Sequence, residues 1–413
     1  MNLTIDSVRL TRELEQLASY SDTPAPSVTR VVFSPADLAA RAYVKSLCGD
    51  AGLTLREDAV GNTFARWQGS EPHAAVGTGS HIDAIPHAGR YDGTVGVLGG
   101  LEAIRALQRA RFHPRRSVEL LLFTSEEPTR FGIGCLGSRL LSGSLTAAAG
   151  GTLRDMGGAT LDEVRATAGF SGPLESVRLP PGYYSSFVEL HIEQGPLLER
   201  VNMPIGVVTA IAAPASVRLW IEGEGGHAGA VLMPQRRDAF LAAAEIALEV
   251  ENAARSTGFI DTVATSGVCD VFPGAINSIP SKVKIEFDIR DVERDRRDGV
   301  LAALDAACDE ARTRRGVSIR KDVLNIDDPA TCDAAAVAAL VGACAAHGFQ
   351  HQLMVSRAYH DSLFMSRIAP TAMLFIPCRN GYSHRPEEYA SAEAIAAGAL
   401  VLAEALASLS SAL

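Results

Sequence analysis

The sequence predicts an α/β domain interrupted by a smaller α+β domain, and three observations lead there. Apolar strand-like runs alternate with helix-period segments over residues 53–124 and again from 334 onward, the signature of helices packed on a largely parallel sheet. Between about 212 and 328 the order becomes strand–helix–strand–strand–helix–strand, with strands apolar on one side only. Histidines and carboxylates recur just after predicted strands, where open α/β sheets bind ligands.

At 413 residues the chain exceeds one core of ordinary size. The expected division is residues 1–211 with 329–413 as one domain and 212–328 as the insert. A net charge of −10 argues against nucleic acid or an anionic membrane as partner. It leaves a small anionic substrate open, because a site can be locally positive. The seven cysteines are scattered, odd in number and without a CxxC pair, so reduced thiols are expected, with Cys135 a packed thiol rather than a nucleophile. The first twenty residues have no basic stretch followed by an apolar run, and no run approaches a membrane span. The expected location is cytoplasmic.

Residues 1–20 place Val8, Leu10, Leu14 and Leu17 at helical spacing. Residues 22–35, rich in Pro, Ser and Thr, predict a surface loop, and 35–51 a second helix stopping near Gly52. Strands are predicted at 53–58, 61–67 and 74–80. The segment 77–93, GTGSHIDAIPHAGRYDG, is the centre of the domain. A strand ends at His81, a turn-rich loop carries Pro86 and Gly89, and Asp92-Gly93 opens a helix over 93–109. In that helix Val95, Leu98, Leu101, Ile104 and Leu107 recur every three or four residues. VELLLF at 118–123 is apolar on both faces, as a central parallel strand is, and runs into Thr124-Ser125-Glu126-Glu127. Helical stretches around 136–148 and 160–168 carry no evident chemistry. A strand over 187–192 delivers Glu189, His191, Glu193 and Gln194.

The insert is predicted as strand 216–222, helix 235–255, strands 261–271 and 281–290, helix 292–314 and strand 318–324. Val283, Ile285, Phe287 and Ile289 alternate with charged residues, which fits a one-sided antiparallel sheet covered by two helices in the ferredoxin-like order. The chain then returns to a helix at 334–347, a strand at 371–377, a loop holding His384, and a terminal amphipathic helix over 390–413.

His81, Asp92, Glu126 or Glu127, His191 and His384 thus all follow predicted strands of one domain. Imidazole and carboxylate are good ligands for a divalent transition metal. Asp83 is placed to accept the second N–H of His81 and fix its tautomer. This set suffices for two ions if one carboxylate bridges, and Asp92, with two oxygens, is the natural bridge. Neighbouring side chains of an extended strand point to opposite sides. An irregular turn at Glu126-Glu127 would aim one carboxylate at a metal and leave the other as a general base. Each signal alone has a plainer reading: a surface-bonded histidine, or a solvated carboxylate pair. Glu189 and Glu193 stay open between supporting groups and surface residues. Together the residues imply metal-assisted hydrolysis of an amide or ureido bond.

The runs GSHIDAIPHAGRYDG, TSEEPTRFG, HIEQGP, GGHAG with MPQRRDA, GAINSIPSK and YSHRPEEYA resemble, in order and over nearly the whole chain, the amidase/hydantoinase/carbamoylase branch of the di-zinc exopeptidase-like hydrolases. The resemblance implies a di-metal exopeptidase-like catalytic domain with an inserted lid and dimerisation domain. It implies that His81, Asp92 and His191 hold one ion and Asp92, Glu127 and His384 the other, with Glu126 as general acid and base. Manganese is usual in the ureide-degrading members and zinc in some relatives. It further implies substrate contacts from Gln194, His227, Asn277, Arg290 and His360. His227 would come from the partner subunit of a homodimer and stabilise the oxyanion, and Arg290 would capture a carboxylate. The plainer readings are a solvated loop histidine and a surface salt bridge. TAIAAPAS, SRAYHDSLFM and FIPCRNGYSHRPEEYAS are similar to the members that act on ureidoglycolate. Many carbamoylase relatives have Gly where this chain has Tyr359, before His360-Asp361. A tyrosine there narrows the pocket and adds a donor, favouring a small hydroxy-acid ureide over allantoate or N-carbamoyl-L-amino acids; a tyrosine merely packed in the core is the plainer alternative. An aminopeptidase would need to recognise a free amine, against the placement of Arg290. A metal-bound, non-catalytic binding protein would be expected to lack Glu126 or a ligand.

Overall fold

The computed structural model describes residues 2–411 and divides into two units. The second comprises Ala210–Thr331 and Arg357–Tyr359, and the rest of the described chain forms the first.

The first unit is built on one mixed sheet. Seven of its nine strands are β1 (Thr54–Glu57), β2 (Thr63–Trp67), β3 (Ala75–His81), β4 (Val118–Phe123), β5 (Tyr184–Ile192), β6 (Ile205–Ile211) and β7 (Thr371–Ile376), in the order β6-β7-β5-β3-β4-β2-β1, with the short strands Ala330–Thr331 and His351–Ser356 both pairing with β6. The four central strands β7, β5, β3 and β4 are parallel, and the outer pairs are antiparallel. His81 stands opposite Phe123, and His191 opposite Phe375. The order reverses between β3 and β5, so a crevice opens at their carboxyl ends. Helix α1 (Thr94–Arg109) is buried through nearly all its length and packs beside α2 (Ala392–Ser411). By length and composition α2 could cross a membrane, but 61% of its apolar window is buried within the protein, as in a core helix.

The central strands are largely apolar because both faces are covered: Val118–Phe123, apolar except for Glu119, and Thr371–Ile376 are buried at every position. Gly79, two residues before His81, sits at φ 149°, and a Cβ there would collide with the Leu121 carbonyl of the neighbouring strand. Gly79→Ala is therefore expected to lower stability by about 1–3 kcal/mol, read as an earlier urea midpoint. An unchanged midpoint would mean that β3 and β4 can separate without cost.

The second unit is a four-stranded antiparallel sheet in the order Val263–Phe272, Lys282–Asp291, Ala213–Glu222, Ser318–Ile326. Helices Ala239–Ser256 and Arg294–Arg315 supply Ala242, Ile246, Val250, Val300 and Leu304 to a core with Val217, Leu219, Ile221 and Phe287. Burial in Lys282–Asp291 alternates residue by residue, as the sequence pattern requires.

Two local expectations are corrected. The segment after His81 is not all loop: Ala84–Ala88 pairs antiparallel with Val28–Arg30, inside the stretch expected to be loop. Strands of five and three residues, one containing Pro86, are too short to show a period of two. Arg30 holds them in place, its guanidinium donating to the carbonyls of Ile82, Leu17 and Tyr20. The terminal helices are shorter than expected, Ser7–Ala18 and Ala392–Ser411, and positions 1, 412 and 413 lie outside the described residues. All seven cysteines are free.

Candidate active site

The carboxyl ends of the parallel strands bring the expected side chains together. Asp92 is buried at their centre. Its Oδ1 lies 3.2 Å from His191 Nε2 and 3.5 Å from His81 Nε2. Its Oδ2 lies 3.2 Å from His384 Nε2, which is also 3.2 Å from Glu127 Oε1. Two triads result, His81–Asp92–His191 and Asp92–Glu127–His384, each with its donor atoms within 4.8 Å of one another.

The donors fit divalent ions. His81 Nδ1 is 3.0 Å from the Asp83 carbonyl and His191 Nδ1 2.9 Å from the Ile192 carbonyl, so Nδ1–H donates and Nε2 is the ring atom left to bind an ion once its own proton is lost. Consistent with that, the Gly93 N–H donates to His191 Nε2 at 3.1 Å. Burial pushes the Asp92 carboxyl up, but the His191, His384 and His81 imidazoles outweigh it and hold Asp92 well below the usual carboxylate range. The Asp92 and Glu127 carboxylates draw His384 up to about 11. The same concentration of negative charge attracts a cation, whose binding releases such protons.

Asp83 acts differently from the expectation. Its backbone carbonyl, not its carboxylate, is nearest to His81 Nδ1; Oδ1 is 3.6 Å away. The carboxylate is engaged by the N–H groups of Glu126 and Glu127, at 3.2 and 3.0 Å, and so fixes the turn after β4. Ser125 in that turn has φ 57°, the irregularity that separates the two glutamates. Glu126 places Oε2 3.7 Å from His81 Nε2, while its Oε1 accepts from the Cys135 thiol at 3.3 Å. Burial pushes the Glu126 carboxyl well above the carboxylate range; His81 opposes this, and Glu127, Asp361 and Asp83 add to it.

Gln194 and His384 also have left-handed backbones, φ 56° and 59°. Each such conformation costs about 1–3 kcal/mol and persists only where its surroundings impose it. Gln194 Nε2 donates to Asp92 Oδ2 at 2.8 Å, while Gln194 Oε1 is buried without a partner among the described residues. Gly93 has φ 65°, and a Cβ there would lie 2.5 Å from the His81 ring. His360 is buried with its ring centroid 4.4 Å from that of His191, and its Nε2 lies 3.1 Å from Ser356 Oγ.

Sequence reading passed over several groups here. Ser383 Oγ lies 2.7 Å from Asp92 Oδ2, and Glu388 accepts from the N–H groups of Tyr91 and Asp92. Burial pushes Glu388 up to about 7, with Asp92 adding to it. Their only sequence signal is closeness to His384 in YSHRPEEYA. Glu189, left open above, is fully buried and takes hydrogen bonds from Ser80 and from Ser362, two residues after His360. Glu193 accepts from the Leu197 and Leu198 N–H groups and so supports the backbone that follows.

The remaining predicted residues belong to the second unit. His227 is exposed on a two-residue strand paired with Ser278–Ile279, and the Ala228 N–H donates to the Asn277 carbonyl. His227 Nδ1 accepts from Gly229 N at 3.0 Å, which leaves Nε2 as the N–H donor. Arg290 makes a two-pronged contact with Asp288 at 2.6 and 3.2 Å, and its guanidinium lies 5.8 Å from the Tyr359 ring centroid.

Known proteins match this chain closely over nearly its whole length. Ureidoglycolate hydrolase of Oryza sativa subsp. japonica is 53% identical over 98% of this chain and 85% of its own length. Ureidoglycolate hydrolase of Arabidopsis thaliana is 52% identical over 99% of this chain and 88% of its own. The crystal structure of AtUAH in complex with (S)-hydroxyglycine superposes with a TM-score of 0.89 at 51% identity, covering 99% of this chain and 98% of that one. AtUAH has also been solved with glyoxylate. The model of peptidase family M20/M25/M40 matches residues 77–408. The chain belongs to that family, in its amidase/hydantoinase/carbamoylase branch.

Proposed function

We propose that the chain hydrolyses the ureido C–N bond of (S)-ureidoglycolate, with two divalent ions held by the two triads. The observation that carries the reading is Asp92, which offers one oxygen to each nitrogen–oxygen triad with Glu126 beside them. The similarity to ureidoglycolate hydrolases over nearly the full length selects the substrate within the family. A donor set without thiolate suits manganese or zinc, and manganese is the proposed native ion.

Bound ions supply polarisation of the ureido carbonyl and a more acidic water. Glu126 takes the proton of the attacking water and passes it to the departing nitrogen. Carbamate then separates into ammonia and carbon dioxide, and the hydroxyglycine left behind loses a second ammonia to give glyoxylate. Gln194 and His360 line the substrate. Arg290 binds its carboxylate, Asn277 contributes a further polar contact, and the His227 N–H stabilises the oxyanion. The second unit serves as lid and homodimer interface, with His227 reaching the partner's site. In support, helix Ala239–Ser256 exposes Phe240, Leu241 and Leu248, and Val263–Phe272 is an edge strand.

The test is glyoxylate and ammonia release by protein stripped of metal and reloaded with manganese or zinc. Ureidoglycolate, allantoate and an N-carbamoyl-L-amino acid are offered in parallel. Manganese-dependent glyoxylate from ureidoglycolate, with little turnover of the others, is the expected result. Turnover of the others alone would overturn the substrate. Tyr359→Gly is expected to shift relative kcat/KM toward the N-carbamoyl substrate by about tenfold or more. An unchanged ratio would make Tyr359 a packing residue only.

A further inference from the structure

We propose that Glu388 and Ser383 are positioning residues that set the orientation of Asp92, and through it the ion position shared with Glu127 and His384. The inference rests on the two-ion reading above. Glu388 is buried. Its Oε1 accepts from the backbone N–H of Tyr91 at 2.7 Å and of Asp92 at 3.1 Å. Its Oε2 lies 3.1 Å from Ser383 Oγ, which is 2.7 Å from Asp92 Oδ2. One loop therefore grips Asp92 both by its backbone and by one side-chain oxygen. The gripped oxygen is the one that faces His384, and His384 belongs to the same loop. Oδ1, which faces His81 and His191, is outside this grip. Room for Glu388 depends on Gly89, where a Cβ would collide with the Glu388 side chain.

A buried carboxylate is tolerated when hydrogen bonds satisfy it, and every hydrogen bond named for Glu388 leads to the Asp92 loop or to Ser383. Ser383 has one hydroxyl hydrogen and two carboxylate neighbours. Glutamine at 388 resolves that count: its oxygen still accepts both backbone N–H groups, and its amide donates to Ser383 Oγ. The serine hydrogen then serves Asp92 alone. Alanine at 388 removes every one of these bonds.

The experiment titrates metal-stripped enzyme with Mn2+, following stoichiometry by calorimetry and the coupled ion pair by electron paramagnetic resonance. In Glu388→Ala the first ion is expected to bind as in the wild type. The second should bind about 10–100-fold more weakly, with the coupled signal giving way to that of an isolated ion. kcat should return at high Mn2+ with little change in KM. Ser383→Ala should weaken the second ion in the same direction, and it leaves the Tyr91 and Asp92 N–H groups paired if Glu388→Ala folds poorly. Glu388→Gln should bind both ions normally, as should Glu387→Ala, whose exposed carboxylate pairs with Arg385. Normal binding of both ions by Glu388→Ala and Ser383→Ala, or equal weakening of both, would overturn the proposal. A wild type that takes up a single ion would overturn the two-ion reading, and this inference with it.

Discussion

Glu126→Gln is expected to lower kcat by about 10²–10⁴-fold while both ions stay bound. The substitution keeps the shape of the side chain and both of its anchors. The Glu126 N–H still donates to Asp83, and the Cys135 thiol can still donate to the side-chain oxygen at position 126. What disappears is an oxygen able to accept and return a proton. Burial and the neighbouring carboxylates push the Glu126 carboxyl well above the usual carboxylate range, the direction a proton-shuttling carboxylate needs. Glu127→Gln should behave in the opposite sense, because Glu127 faces His384 and belongs to a triad; metal should be lost first and rate as a consequence. Metal analysis beside steady-state kinetics separates the two. A near-normal rate for Glu126→Gln would place the base elsewhere, and loss of an ion would make Glu126 a ligand.

The parts of this molecule legible in the sequence are those governed by short-range periodicity. VELLLF, apolar except for Glu119, declares a strand covered on both faces, and the strict alternation of 282–290 declares a one-sided sheet. The ends of the predicted strands bring out His81, Glu126, Glu127 and His191 as candidates, and the family resemblance supplies their expected roles. Asp92 stands out in the sequence because it precedes a helix-period run and has two oxygens, and the structure turns one oxygen to His191 and the other to His384. Groups acting across long chain separations were not legible. Glu388 meets the Tyr91 backbone from 297 positions away, and Glu189 meets Ser362 from 173. No local pattern distinguishes such a carboxylate from a solvated one. Asp83 is a third case: its backbone carbonyl, not its carboxylate, meets His81 Nδ1, because the turn after β4 offers the carboxylate two N–H groups. Tyr359 is a fourth, since the short segment Arg357–Tyr359 groups with the second unit although its neighbours on both sides belong to the first.

Asp92→Ala is expected to empty both ion positions, whereas His191→Ala and His384→Ala should each empty one. The asymmetry follows from geometry. His191 approaches only Oδ1 and His384 only Oδ2, so of the two triads built on Asp92 each imidazole serves one, although His191 also lies near Glu189 and His360. Activity should fall at least about a thousandfold in Asp92→Ala, the rate equivalent of the several kcal/mol that bound ions contribute to the transition state. Added Mn2+ should not restore it, because His81 and His191 would be left as two neutral nitrogens and Glu127 and His384 as one nitrogen and one carboxylate. His384→Ala differs in kind. It removes the ligand nearest solvent, leaves the buried triad intact, and should retain one tightly bound ion with little turnover. Metal counting on the three variants decides the arrangement. One ion retained by Asp92→Ala would mean that His81 and His191 complete a site without it. Two ions lost from His384→Ala would mean that the positions fill only together, with the bridging carboxylate coupling them.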